Sequence, residues 1–63
     1  MRKLEYTYWV DGEYFIGHLN TYPDYDTQAF SKDELVENLK ELLVDIESGE
    51  VPFVRKLEEL VLA

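Results

Sequence analysis

The residues of this chain whose types could support chemistry are its 14 acidic side chains and a single histidine. Clustered carboxylates hold the paired metal ions of many phosphodiester-cleaving enzymes, and Asp11, Asp24 and Asp26 are the candidates here. Asp11 precedes a glycine and Asp24 follows a proline. Both dipeptides are typical of turns, where aspartate is favoured for its backbone conformation. Asp11 and Asp24 are therefore predicted to stabilise turns, and the acidic residues of the helix are predicted to form a solvent-exposed face. Neither group is predicted to form a metal site.

Nucleophilic catalysis has equally little support. His18 is predicted to lie opposite Glu5 in a hairpin, where it forms a surface cross-strand pair. Ser31 and Ser48 both have the surroundings of helix-end residues, and the chain contains no cysteine. We therefore predict no catalytic residue, no cofactor and no metal ligand, and we interpret the protein as a non-enzyme.

Composition limits the remaining classes of function. A chain of 63 residues forms one domain, residues 1–63, and the 46% hydrophobic content with nine aromatic residues predicts a folded core. The net charge of -8 disfavours direct nucleic-acid binding, because phosphate contacts need lysine and arginine. The same charge favours a basic protein partner. There is neither a membrane-spanning apolar run nor a signal-peptide pattern, so we expect a cytoplasmic protein.

Two strands joined by a tight turn are predicted at the amino-terminal end. Leu4 to Val10 and Glu13 to Leu19 are rich in strand-forming residues, and Asp11-Gly12 between them indicates a two-residue hairpin with Val10 opposite Glu13. Alternation assigns one face to the core: Leu4, Tyr6, Tyr8, Phe15 and Leu19. The other face carries Glu5, Thr7, Trp9, Tyr14, Ile16 and His18. Because one helix covers only one sheet face, Trp9, Tyr14 and Ile16 are predicted to form a self-association surface of an oligomer.

A helix follows a short strand over 26–30. Ser31 is predicted to cap a helix running from about Lys32 to Ser48, with Glu34 completing a capping box. Phe30 and Leu35 have the spacing of a hydrophobic staple, and Gly49 fits the position that ends helices. The apolar stripe of this helix comprises Leu35, Val36, Leu39, Leu42, Leu43 and Ile46.

The segment 53–63 allows two interpretations. Phe53, Val54, Leu57, Leu60 and Val61 fit the stripe of a second helix, whereas Leu60-Val61-Leu62 fits a buried strand. The residues alone do not decide between them.

The order of these elements resembles that of the HicB-type antitoxin family, in particular its small stand-alone domains. The resemblance covers nearly the whole chain and rests on the Asp11-Gly12 hairpin, Pro23-Asp24, Thr27-Gln28 and the helix start at 31–35. Ala29 stands where similar domains often have glycine. The resemblance implies an α+β fold of the order β-β-β-α-β, truncated and RNase H-like, and thus favours a C-terminal strand.

The resemblance also implies a function. HicB-type proteins neutralise a small basic RNA-cleaving toxin of the HicA type by direct contact. The predicted contact is the acidic helix face together with the surface connection before it: Tyr22, Pro23, Asp24, Thr27, Gln28, Glu37, Glu41 and Asp45. Two other hypotheses stay open, a self-associating structural or regulatory module without a toxin and a degenerate nuclease that retains metal chemistry. Larger members carry a DNA-binding segment about where this sequence stops, so operator binding is not inferred.

Overall fold

The computed structural model describes residues 2–62, which form one sheet and one helix. The strands are β1 (Tyr6–Asp11), β2 (Tyr14–Leu19) and β3 (Thr27–Ala29), and the helix is α1 (Lys32–Glu47). The sheet is antiparallel in the order β1-β2-β3, and α1 packs on one face of it against β2 and β3. The protein is therefore α+β, as predicted.

The hairpin register differs from the prediction. Asp11 pairs with Tyr14 and Val10 with Phe15, so the two-residue connection is Gly12-Glu13, and the predicted pairing of Val10 with Glu13 is wrong. Gly12 has a φ of 62°, and it takes the first loop position, where a type II′ turn requires glycine. Because the pairing moves by two residues, every side chain stays on its predicted face.

The core lies between the predicted sheet face and α1. Its buried members are Leu19, Ala29, Leu35 and Leu39, with Tyr6, Phe15, Tyr22 and Leu43 packed against them. The helical stripe is confirmed, since Leu35, Leu39 and Ile46 are buried and its other three members are half-buried. The helix thus buries the β2 and β3 part of this sheet face, whereas Tyr8 of β1, which was also predicted to face the core, is 42% exposed.

Both ends of α1 follow from local sequence. The backbone N–H of Glu34 donates to the Ser31 hydroxyl oxygen at 3.2 Å, which confirms the cap. At the other end Gly49 has a φ of 83°; its N–H donates to the Ile46 carbonyl, and the Glu50 N–H donates to the Asp45 carbonyl. This pair of bonds is a Schellman motif.

The predicted staple between Phe30 and Leu35 is not formed as expected. Leu35 is fully buried, but Phe30 is 65% exposed and its ring lies 5.1 Å from that of Tyr14. The reason is strand alternation, because Ala29 faces the core and the next residue falls on the opposite side.

The predicted C-terminal strand is absent from the described residues. Residues 54–62 have no regular secondary structure, and Leu60, Val61 and Leu62 are almost fully exposed. The Leu57 N–H donates to the Thr21 carbonyl at 3.0 Å, so the segment crosses the β2–β3 connection instead of reaching a sheet edge. Ala63, which ended the predicted segment, lies outside the described residues.

Candidate functional site

Three of the predicted partner-binding residues form a line on α1. Glu37, Glu41 and Asp45 are all exposed, and their four-residue spacing puts them on one side of the helix. We call them the acidic row. The side-chain amide of Asn38 donates to the Gln28 carbonyl of β3 at 3.3 Å, so the side of α1 that carries Asn38 borders β3. The structure therefore brings Gln28 to α1 through Asn38, the residue that follows Glu37 in the chain.

The acidic row is only partly neutralised by neighbouring cations. Lys40 lies 3.3 Å from the Glu37 carboxylate, and both side chains are 68% exposed. An exposed pair of this kind contributes little to stability and is weakened by salt. No ion pair to Glu41 or Asp45 is formed within residues 2–62. The row consequently projects negative charge into solvent.

The connection between β2 and β3 supplies a second part of the predicted site. Pro23 and Asp24 are exposed, and the Asp24 carboxylate lies 3.6 Å from the Arg55 guanidinium. Tyr22 instead packs against the core, and its N–H donates to the Leu19 carbonyl. Thr27 is half-buried opposite Gly17. Tyr22 and Thr27 thus hold the connection in place, and Pro23 and Asp24 form its accessible surface.

The sheet face opposite α1 carries an exposed aromatic cluster. Trp9 is 42%, Tyr14 38% and Phe30 65% exposed, and Ile16 is half-buried among them. We call these four residues the aromatic patch. Ile16 pairs with both Trp9 and Gln28, so one row of side chains crosses all three strands. Phe30 was missed by sequence reasoning, although the alternation of β3 would have placed it here.

His18 lies at the border of the aromatic patch rather than opposite Glu5. The observed register pairs it with Thr7, which corrects the predicted pair. Its ring centroid is 6.1 Å from that of Trp9, and its Nδ1 lies 3.2 Å from the Leu19 carbonyl oxygen. Within residues 2–62, no three histidine, aspartate or glutamate side chains converge as a metal site would require.

An apolar groove lies on the β1 side of α1, because the helix covers only β2 and β3. It has a volume of about 270 Å³. Its lining residues are Arg2, Leu4, Tyr6, Leu19, Val36, Leu39, Lys40 and Leu43. No pattern in the sequence predicts this groove, since the position of a helix across a sheet is a tertiary property.

An ion pair ties the chain before β1 to the end of α1. Arg2 donates to both oxygens of the Glu47 carboxylate, one bond being 2.9 Å long. These bonds lower the pKa of Glu47, and the bond with Glu47 and its charge raise the pKa of Arg2. A carboxylate with a lowered folded-state pKa stabilises the fold above its unfolded pKa. That contribution is lost as the pH falls through the folded pKa.

Comparison with known proteins gave no matching family model, no matching curated protein and no matching solved structure. Within the described chain, α1 is too short and too polar to cross a membrane.

Proposed function

We propose that this protein is a non-catalytic, HicB-type antitoxin-like domain of the cytoplasm that neutralises a small basic ribonuclease of the HicA type by direct contact. The observation that carries the proposal is the exposed acidic row of α1 on a chain with a net charge of -8. The sequence resemblance supports the same conclusion. In this proposal the three strands and α1 correspond to the shared part of a truncated RNase H-like fold.

The proposed inhibition follows from the needs of the toxin. A ribonuclease must present cationic groups to the phosphates of RNA. The acidic row offers carboxylates to the same groups, and Pro23 and Asp24 extend the contact along the β2–β3 connection. Complementary charge also speeds the encounter, because opposite fields steer two proteins together. The protein then blocks RNA from the toxin without any chemistry of its own.

An RNA-cleavage assay tests this function directly. Cleavage by a HicA-type toxin is expected to stop when the protein is added at equal concentration, whereas the protein alone leaves RNA intact with or without divalent metal ions. Toxin activity that persists at saturating protein would contradict the antitoxin proposal. Metal-dependent cleavage by the protein itself, abolished by Asp24→Asn or Asp26→Asn, would support the degenerate-nuclease hypothesis instead.

Reversing charge in the acidic row is expected to slow toxin binding. Glu37→Lys with Glu41→Lys should reduce the association rate about tenfold or more at low salt and change the dissociation rate less, because exposed charges act mainly on encounter. Surface plasmon resonance at two salt concentrations separates the two rates. The matched control is Glu58→Lys with Glu59→Lys, which makes the same change of net charge on the exposed tail.

The control decides between a local and a global effect. If both double variants bind equally slowly, net charge alone steers the toxin and the acidic row is not the contact. An association rate that neither salt nor the charge reversal alters would remove the row from the proposal.

A second candidate function rests on the aromatic patch. Exposed aromatic clusters of this kind are typical of interfaces, so the protein is alternatively a self-associating module that uses Trp9, Tyr14 and Ile16. Under this alternative, Trp9→Ser is expected to convert an oligomer into monomers in analytical ultracentrifugation. Phe53→Ser is the control, because Phe53 is 97% exposed and lies outside the patch. A wild-type monomer throughout the micromolar range would exclude this candidate.

A further inference from the structure

β1 is an edge strand whose outward backbone groups have no partner in the described chain. The Asn20 N–H donates to the Glu5 carbonyl at 3.0 Å, which extends the β1–β2 ladder by one pair and shows that odd-numbered residues bond to β2. In an antiparallel ladder the intervening residues point their N–H and C=O groups the other way. Within β1, Tyr6, Tyr8 and Val10 therefore present these groups along the outer edge.

The other edge of the sheet is protected, and β1 is not. β3 has three residues, and the side chain of Asn38 occupies the Gln28 carbonyl. β1 has six residues, no proline and no lysine, and its Tyr8 and Val10 side chains are 42% and 58% exposed. Natural sheets usually protect a long apolar edge of this kind by charge, proline or a covering element. An unprotected one is a template for another strand.

We propose that two copies of this chain pair through β1 in antiparallel orientation, with the two-fold axis at Thr7. In this register Tyr6 faces Tyr8 of the second copy, and the residues before β1 continue the pairing, with Leu4 facing Val10. Thr7 faces Thr7, and Asp11 faces Lys3 of the second copy. Apolar, aromatic and hydroxyl pairs and pairs of opposite charge are the cross-strand combinations that stabilise a sheet.

Charge selects this register over its neighbours. An axis at Tyr8 would place Asp11 opposite Glu5 of the second copy, and an axis at Trp9 would place Glu5 opposite Glu13. Like charges directly opposite each other are destabilising. Of these three registers, only the one with its axis at Thr7 places Asp11 opposite a cation, Lys3 of the second copy. It also lets the outward N–H and C=O groups of Tyr6 and Tyr8 bond to each other across the interface.

Pairing through β1 is compatible with the acidic row and the aromatic patch, because neither surface is covered by it. The acidic row lies on the exposed side of α1, and α1 packs against β2 and β3 rather than β1, so pairing through β1 leaves both rows accessible. The aromatic patch of each copy becomes part of one six-stranded sheet face. The pairing does not depend on the proposed antitoxin function, because a dimer forms in this way with or without a toxin.

Single cysteines test the register, because the natural chain has none. Thr7→Cys places two sulfurs across a non-hydrogen-bonded pair, where Cα atoms about 4.5 Å apart fall within disulfide range. Glu5→Cys is the matched control, since the two copies of residue 5 are offset by four residues, about 13 Å. Under mild oxidation, we expect disulfide-linked dimer to form at least about tenfold faster with Thr7→Cys than with Glu5→Cys.

A charge swap gives an independent measurement on variants with no change in the core. Asp11→Lys puts two lysines opposite each other and is expected to raise the dimer dissociation constant about tenfold in sedimentation equilibrium. Adding Lys3→Asp restores opposite charge at the natural net charge, so the double variant should dimerise like the wild type.

Three results would overturn the proposal. They are a monomeric wild type, equal cross-linking at residues 5 and 7, and failure of the Lys3→Asp, Asp11→Lys double variant to recover dimerisation. Loss of the dimer in Trp9→Ser without cross-linking of Thr7→Cys would assign association to the aromatic patch instead. A dimer that pairs as proposed but does not inhibit the toxin would contradict only the antitoxin function.

Discussion

Gly17→Val is expected to unfold the domain. Gly17 is buried in β2, and a Cβ added there would lie 2.7 Å from the Thr7 carbonyl oxygen and 3.3 Å from the Leu35 Cδ2 atom. The oxygen belongs to the neighbouring strand, so it cannot move away without breaking the β1–β2 ladder. Overpacking a core by smaller changes already costs about 1–3 kcal/mol. A domain of this size has little stability to lose.

Circular dichroism and urea denaturation measure the effect of the Gly17 substitution. Gly12→Ala serves as the contrast, because nothing lies within 4 Å of its added Cβ and its cost comes only from a φ of 62°. That cost is about 1–3 kcal/mol, the range for a residue held in a sparsely populated backbone conformation, and it leaves a measurable folded state. A Gly17→Val protein with a cooperative transition near the wild-type urea midpoint would show that β1 and β2 do not approach each other as described.

Leu39→Ala is expected to lower the free energy of unfolding by about 2–5 kcal/mol, because the lost side chain leaves a cavity in the core. Leu39 is 3% exposed and packs in the cluster formed by Leu19, Ala29 and Leu35. It also lines the apolar groove, so some water can enter the space and the loss should fall in the lower half of that range.

The urea midpoint of Leu39→Ala measures this loss against Val44→Ala. Val44 lies on the same helix but is 64% exposed, so its truncation should change stability by less than about 0.5 kcal/mol. Equal midpoints for the two variants would mean that α1 buries a different face from the one described.

Much of the candidate site could be predicted because it depends on spacing along one helix. Glu37, Glu41 and Asp45 recur every four residues, which is enough to put them on one exposed side. Their neighbours could not be predicted in the same way. The contact between Asn38 and Gln28 fixes which side of α1 borders β3, and it arises only when the helix packs across the sheet.

The sequence by itself determined the features that arise within a few residues. Ser31 and Gly49 set the ends of α1 because they satisfy backbone groups in adjacent turns. Strand alternation assigned the side chains of β1 and β2 to the correct faces, and this assignment survived an error of two residues in register. These features are local, so short-range sterics and hydrogen bonding suffice to specify them.

The tertiary structure alone decided the features that depend on competition between distant segments. The helix packs across β2 and β3 and leaves an apolar groove beside β1, an arrangement that no local pattern specifies. The segment 54–62 is held by a hydrogen bond from the Leu57 N–H to the Thr21 carbonyl and does not pair with a sheet edge. Leu60-Val61-Leu62 nevertheless has the composition of a strand. A strand needs a partner edge as well as suitable residues, and whether the chain brings the two together is decided by the packing of the whole domain.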